Sequence, residues 1–516
     1  MNQRSESNKL WLGAIIVLVL TVAAHVRGLQ GQFVEWDDTT HVTRNAVIRA
    51  LTFENVGAMF TKPIAKLYCP LTWLSFAIDY QIWGRDPLGY HFTNLLLHLA
   101  NTVLVLVLVR KILRNRCEHA TTIAILTAAI FGVHPLRVES VAWVTERKDV
   151  LFAFFYFCAL LAYWRWLDTH KPRNYCVCFG LFVASVLSKS TAVTFPLVLL
   201  LIDYFSAKRK AWEEKIPFFV VSLIITAITF LSQAGGKGET VASPEVIPLW
   251  ARAGLVGYCS LFYVRKFFWP FHLSAVYPAF DEMHWNVFHS LGYLTAFALL
   301  AALAVAARRR WPALLPSWLF YLITLSPTIG LVPVGIHVVA DRFSYVPLIG
   351  LALPASIMIV RAIASAPNMA ARVAVGGVVA VLFATLTLLA DQRGEIWSNT
   401  ETLFMNALQE NPNCLPAHVN LTVWYTGLKR FDEAIHHGER AIQIAPLGIP
   451  GRKNLAYAYI NDDRRHDALV VLRPLAEHGV EDADVWRALA ECFEALGDTN
   501  NAKLARETQR KCEGKL

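Results

Sequence analysis

The sequence predicts an all-α protein in two parts: a polytopic membrane domain, then a soluble helical-repeat domain. Three observations predict it. Of 516 residues, 55% are apolar and only 17% charged, too oily a balance for a soluble globule of this size. Twelve apolar runs are long enough to approach a bilayer crossing, and past Asp391 small and apolar residues recur at a fixed interval of 34.

The formal charge of +9 collects in short clusters between apolar runs, which argues for loop-directed membrane orientation and against nucleic-acid binding. The nine cysteines stand singly except Cys176 and Cys178, with no disulfide framework or zinc spacing. Leu10–Val26 lacks a small-residue cleavage site and is expected to be a retained first helix.

The apolar runs lie near 10–27, 90–113, 119–134, 149–167, 174–188, 189–206, 215–232, 251–268, 288–307, 312–328, 342–361 and 371–390. One set of connections is basic: Arg110-Lys111 with Arg114 and Arg116; Arg165 with Lys171 and Arg173; Lys208-Arg209-Lys210; Arg308-Arg309-Arg310; and Arg361 with Arg372. Placing these in the cytoplasm satisfies the positive-inside rule. Residues 28–89, 134–148, the Ser188-Lys189-Ser190 turn, 233–250, 269–287, 328–341 and everything after 391 then face outward. Parity requires one run not to cross. The choice is 251–268, whose end is broken by Arg265 and Lys266 and runs into Phe267-Phe268-Trp269-Pro270. About eleven crossings result, with an internal N-terminus.

The first outer segment, 28–89, carries two amphipathic pieces. Phe53, Val56 and Phe60 share one face of Thr52–Phe60; Leu71, Leu74, Ile78 and Ile82 share one face of Pro70–Trp83, with Trp73 and Trp83 as interface anchors. Such helices would lie on the outer leaflet and roof a cavity.

In the second part, residues 391–516, Leu421, Leu455 and Leu489 are 34 apart, as are Ala434, Ala468 and Ala502, and Pro412 and Pro446. Small residues at the close-packing positions of helix pairs, repeating at 34, are the tetratricopeptide signature. Ala407 precedes Ala441 by the same interval, so Trp397–Gln409 reads as the second helix of a repeat whose first is the end of the last span. The array is expected to bind peptide or protein, with Trp424 and Trp486 as candidate acceptor contacts.

The candidate chemistry lies on the outward face. Glu35-Trp36-Asp37-Asp38 follows the first membrane exit, where burial could raise a carboxyl pKa and make Asp37 or Asp38 a proton acceptor; the plainer reading is a solvated pair or a helix cap at Asp38. His134, Arg137, Arg147 and Lys148 sit in 134–149, with Lys189, Arg265, Lys266 and Arg342 in similar positions. Cations on the non-cytoplasmic side run against topology and call for compensation by a phosphate or a carboxylate, Glu139 and Asp341 being internal candidates. Collectively, cations near an acid pair suit a phosphate leaving group. No nucleotide-sugar pool exists outside the cytoplasm and the chain has no Gly-rich phosphate loop, so the donor would arrive as a polyprenyl-phosphate sugar. One Asp would take the acceptor hydroxyl's proton during a single inverting displacement. Asp37, Asp38 and His41 could also ligate a divalent metal, but adjacent carboxylates on extended chain diverge, so metal-free catalysis is the preferred reading.

The Trp36-Asp37-Asp38 loop, His134-Pro135…Glu139…Arg147-Lys148-Asp149, Ser188-Lys189 and Asp341-Arg342…Tyr345-Val346-Pro347, followed by the repeats, resemble the transmembrane and tetratricopeptide repeat-containing family. That family is similar to the protein O-mannosyltransferases and GT-C glycosyltransferases. The resemblance implies a GT-C-like membrane domain over 1–390, a catalytic acid at Asp37 with Asp38 beside it, and carrier-phosphate contacts from Arg147, Lys189, Arg265 and Arg342. Only about three repeats follow, where relatives carry more, and no signature names the sugar. The expected setting is a bacterial inner membrane with an undecaprenyl-type carrier and periplasmic repeats, the endoplasmic reticulum being the alternative. Two other readings compete: a non-catalytic membrane scaffold, and a lipid-linked-sugar transporter. The transporter would place charges at mid-membrane rather than at one surface.

Overall fold

Backbone in lipid has no water to bond, so apolar runs close their hydrogen bonds within helices. In the computed structural model, which describes residues 3–234, 247–278, 280, 283, 285–330 and 338–514, all twelve runs contain helix. They are α1 (Gln3–His25), α4 (Pro87–Leu113), α5 (Ala120–Val133), α7 (Arg147–Thr169), α8 (Pro172–Ser188), α9 (Phe195–Ile202), α10 (Ile216–Ala234), α11 (Leu249–Phe268), α12 (Val287–Ala306), α13 (Leu314–Leu325), α14 (Ile349–Ser365) and α15 (Met369–Ile396). Between them lie α2 (Phe53–Thr61), α3 (Pro70–Trp83) and the short α6 (Val138–Ala142). Among the described residues the only β pairing is the bridge between Ile64 and Leu67.

Seven segments are long and apolar enough to cross a membrane: Glu6–Gln30, Pro87–Leu113, Val144–Thr169, Ser190–Ala207, Glu213–Ser232, Val287–Arg309 and Met369–Ile396. An eighth is the pair Ala120–Val133 and Pro135–Ala142, bent by 58°. The protein is therefore an integral membrane protein. Helices α8, α11, α13 and α14 are not among the seven, so the eleven expected crossings exceed what length and composition alone provide. The expected outward segments 233–250, 269–287 and 328–341 fall partly outside the described residues.

The chain divides into two compact units, Met1–Leu273 with Tyr277–Ser398, and Asn399–Leu516 with Ser274–Val276. The boundary falls at 398/399 rather than 390/391, because the charged end of α15 continues as helix. There Asp391 and Glu395 pair with Arg27 at 2.8 and 2.7 Å, and Arg393 pairs with Asp341 at 3.1 Å.

In the first unit, the main apolar core joins α4, α5, α7, α8, α9 and α14. A second core belongs to the 28–89 segment and holds Val42, Ile48, Met59, Trp73, Phe76 and Tyr90 against Val144. Trp73 is thus a core residue rather than the interface anchor that was expected. The α2 face is also rotated from expectation: Met59 points inward, while Phe53 and Phe60 point out. Residues 134–147, read from sequence as an outer loop, are buried throughout.

The second unit is helical: α16 (Thr400–Glu410), α17 (Leu415–Gly427), α18 (Phe431–Ile444), α19 (Ile449–Asn461), α20 (Arg465–Glu477), α21 (Ala483–Ala495) and α22 (Thr499–Glu513). Leu421, Leu455, Leu489, Ala434, Ala468 and Ala502 are all buried, as the 34-residue interval requires. Lys429, Asp463 and Gly497 share that interval, and each turns its helix pair with positive φ, 60°, 61° and 79°. The left-handed backbone at the same place in each pair marks one supersecondary unit used three times.

Candidate active site

The acid pair lies where the turn after α1 meets the start of α7. Trp36 to Thr43 forms a tight helical turn that ends in a π-type turn over Thr39–Thr43. The two aspartates are separated in role by burial. Asp38 is 1% exposed. Its Oδ2 accepts from the Val34 amide at 3.0 Å, and its Oδ1 from the Thr145 amide and hydroxyl at 3.0 and 2.5 Å. Burial pushes its carboxyl up to about 7, opposed by those three donors and reinforced by Asp37. Asp37 is half-buried, its carboxylate accepts no hydrogen bond among the described residues, and it interacts electrostatically with Lys148 and His41. Burial lowers His41 to about 4, so it is neutral at pH 7, and its ring sits edge-on to Trp73. The chain does turn at the pair, as joint metal ligation demands, but both Asp38 oxygens are already occupied. Among the described residues no three His, Cys, Asp or Glu side chains converge as metal ligands.

Beside Asp37 stands an ion network centred on Glu146. Lys148 approaches it at 3.1 Å, Lys189 at 3.5 Å and Arg342 at 3.4 Å. Lys189 also binds Asp149, which accepts from Ser140 at 3.1 Å. Arg342 binds Glu139 through its guanidinium at 2.5 Å and its amide at 3.0 Å. Three cations therefore face three carboxylates, and the compensation that topology demands is supplied within the chain. Asp341, offered from sequence as one internal partner, instead pairs with Arg393 and accepts from Tyr277 at 2.7 Å. Trp143 backs the network, stacked between Trp36 at 4.6 Å and Trp397 at 5.3 Å, with Lys148 and Arg342 over its ring at 5.9 and 5.5 Å. A crevice lined by Asp149, Lys189, Thr191 and Arg342 adjoins it, with about 20 Å³ of room, enough for a water. Among the described residues the Thr191 hydroxyl there has no hydrogen-bond partner.

The other cations singled out from sequence lie elsewhere. Arg147 is fully buried and turned into α3 and α4. It reaches Asp79 at 2.7 Å, Ser75 and the Tyr90 carbonyl each at 2.8 Å, and the Asn94 side chain. Arg137 is enclosed against the Phe131 and Tyr345 rings and donates to the Ser344 and Tyr345 carbonyls at 3.1 and 2.6 Å. His134 bonds the Phe267 carbonyl at 3.0 Å and accepts from the Leu136 amide at 3.2 Å. Lys266 ties down the Phe271 and His272 carbonyls, whereas Arg265 is exposed over Phe262. These groups do not gather with Lys148, Lys189 and Arg342. In the second unit, Trp424 and Trp486 are both half-buried, and the Trp486 indole donates to the Val480 carbonyl at 2.8 Å.

Sequence reasoning passed over Thr145, Glu146 and Asp149 as site members. The signal was present in the basic pair Arg147-Lys148 flanked by Glu146 and Asp149 at a membrane exit.

This geometry belongs to a membrane protein with an acid and a cation network at one end of its helices, and the comparisons agree with the resemblance read from the residues. A family model described as dolichyl-phosphate-mannose-protein mannosyltransferase matches residues 69–232, which include Arg147, Lys148 and Lys189. Human protein O-mannosyl-transferase TMTC1 is 25% identical over 494 residues, covering 83% of this chain and 54% of that protein. Drosophila melanogaster protein O-mannosyl-transferase Tmtc2 is 36% identical over 142 residues, 26% of this chain and 14% of that one. The chain spans about half the length of human TMTC1. Among solved structures, ArnT from Cupriavidus metallidurans bound to undecaprenyl phosphate aligns with a TM-score of 0.39 and 14% identity, over 90% of this chain and 80% of that one.

Proposed function

We propose that the chain is a membrane glycosyltransferase that moves a sugar from a polyprenyl-phosphate carrier to a hydroxyl of a protein acceptor, with inversion. One observation carries the reading: of two adjacent aspartates, Asp38 is buried and saturated while Asp37 is open beside Lys148 and the Glu146 network. Asp37 is then the base and Asp38 the residue that positions it. The acceptor hydroxyl gives its proton to the Asp37 carboxylate as its oxygen bonds the anomeric carbon. The bond from that carbon to the phosphate oxygen breaks, and its electron pair leaves with the carrier phosphate. Lys148, Lys189 and Arg342 face that developing charge, since each is held by a carboxylate and needs little reorganisation. Arg265 is the exposed cation left to meet a headgroup from outside the network. The likeness to O-mannosyl-transferases supports mannose as the sugar.

The second unit is read as a tetratricopeptide array that presents the acceptor, with Trp424 and Trp486 as contacts. The site is assigned to the non-cytoplasmic face of a bacterial inner membrane, and the carrier to the undecaprenyl type. A scaffold reading draws on one fact, that each network cation already has a carboxylate partner. Transfer from polyprenyl-phosphate mannose by the reconstituted full chain separates the two readings. Asp37→Asn should abolish it with insertion intact; undiminished turnover in that variant removes Asp37 as the base, and no transfer by the unaltered chain leaves only the scaffold.

A further inference from the structure

Past Ala390 the helix α15 turns polar, yet it keeps an inward face. Ala390, Arg393, Gly394 and Trp397 are buried at helical spacing, while Gln392 and Glu395 are exposed. That face meets both halves of the acid and cation cluster.

On the acid side, the Gln32 amide donates to the Ser398 carbonyl at 2.7 Å, and a Cβ at Gly394 would stand 3.4 Å from the Gly28 nitrogen. The two backbones therefore run in contact on the approach to Asp37. Trp397 stacks on Trp143 with ring centres 5.3 Å apart, and Trp143 stacks on Trp36 at 4.6 Å, one residue before Asp37. On the cation side, Arg393 pairs with Asp341 at 3.1 Å and donates to the Leu273 carbonyl at 2.6 Å. Asp341 directly precedes Arg342, whose amide is held from the other side by Glu139 at 3.0 Å.

Burial decides which of these contacts matter. The Arg27 bridges to Asp391 and Glu395 are half exposed and of the kind that contributes little. Trp397 and the Arg393–Asp341 pair are enclosed, and a buried pair is costly to break from one side. Among the described residues the indole N–H groups of Trp143 and Trp397 have no hydrogen-bond partner, so the stack is held by its ring faces.

We infer that the end of α15, residues 391–398, is a positioning element of the active site: Trp397 sets the Asp37 turn through Trp143 and Trp36, and Arg393 sets Arg342 through Asp341. The bracing stands on the geometry; its consequence for transfer rests on the proposed function. Two measurements on the full chain in nanodiscs test it. In hydrogen–deuterium exchange, Trp397→Leu should speed exchange over residues 31–45 and Arg393→Gln over residues 338–348, each by about tenfold, as local opening does, with α7 unchanged. No change in either segment, or a rise that extends evenly through α7, overturns the brace. In transfer from polyprenyl-phosphate mannose, Trp397→Leu should lower kcat about tenfold with the donor KM within about twofold, the scale of a slightly misplaced base. Arg393→Gln should act chiefly on the donor KM, raising it by about tenfold. Global loosening would move both constants together in both variants, and that result, or wild-type constants in both, overturns the positioning role. Where either variant fails to insert, Trp397→Phe and Arg393→Lys, which keep a ring and a charge, should show the same local changes in lesser degree; wild-type exchange in them overturns the inference. If the unaltered chain transfers no sugar, the proposed function fails while exchange still decides the brace.

Discussion

Two buried ion networks flank α7, and they differ in what they leave open. At its start, Glu146 gathers Lys148, Lys189 and Arg342, with the half-buried Asp37 and a crevice alongside. Roughly 25 Å further along, at 1.5 Å per residue, Tyr163 donates at 2.5 Å to Asp203, which also binds the fully buried Lys215 and, at 3.3 Å, Arg209. Lys215 is closed off by the Ala211 carbonyl at 2.9 Å and Glu214 at 3.2 Å. Both networks satisfy the cost of charge in a membrane protein. The second also carries a half-buried acid, Glu214, and a partly exposed cation, Arg209, but these two pair with each other. Among the described residues only the first has a half-buried acid outside the ion pairs, Asp37, and under the proposed function that difference separates a reactive cluster from a structural one.

The largest expected effect is at Asp37. Asp37→Asn should lower transfer by about 10²–10⁴-fold, the range for removing a general base, with unfolding temperature unchanged. A full effect on stability with none on rate would put Asp37 in the structural class. Next is Lys215→Met, which strands Asp203 and should cost about 3–5 kcal/mol in denaturant unfolding. Turnover per folded molecule should be preserved; a matching loss of turnover would erase the distinction between the two networks.

Asp38 comes third. Its folded carboxyl is raised to about 7 from 3.8, so it favours the folded state when protonated and that contribution is lost as pH rises through about 7. Thermal unfolding should therefore show a fall in midpoint across this window that Asp38→Asn removes. Smallest is Lys148→Gln, expected to raise KM for the lipid-linked donor by about tenfold, the worth of one charge-assisted contact, with less effect on kcat. A change confined to kcat would move Lys148 from holding the carrier to assisting the reaction itself.

Much of the fold was legible because its signals are local. Apolar runs specify helices by hydropathy, and the 34-residue interval announces helix pairs that Lys429, Asp463 and Gly497 confirm in the backbone. The site was legible as a neighbourhood and not as an arrangement. Arg147 and Lys148 are consecutive and were read as equivalent, yet about 100° of helical rotation sends one into Asp79 and leaves the other at Glu146. Trp73 has an interface residue's composition and a core residue's position.

By itself, the sequence determined that this chain is membrane-embedded, helical and repeat-bearing, and that an acid pair and basic residues follow its membrane exits. Hydropathy and spacing are properties of neighbouring residues, so no fold is needed to read them. Only the tertiary structure decided which aspartate stays open, which cations gather around Glu146 and which are spent on carbonyls. Exposure and pairing depend on residues such as Asp38 and Thr145, or Glu139 and Arg342, that are distant in the chain and meet only when the helices pack.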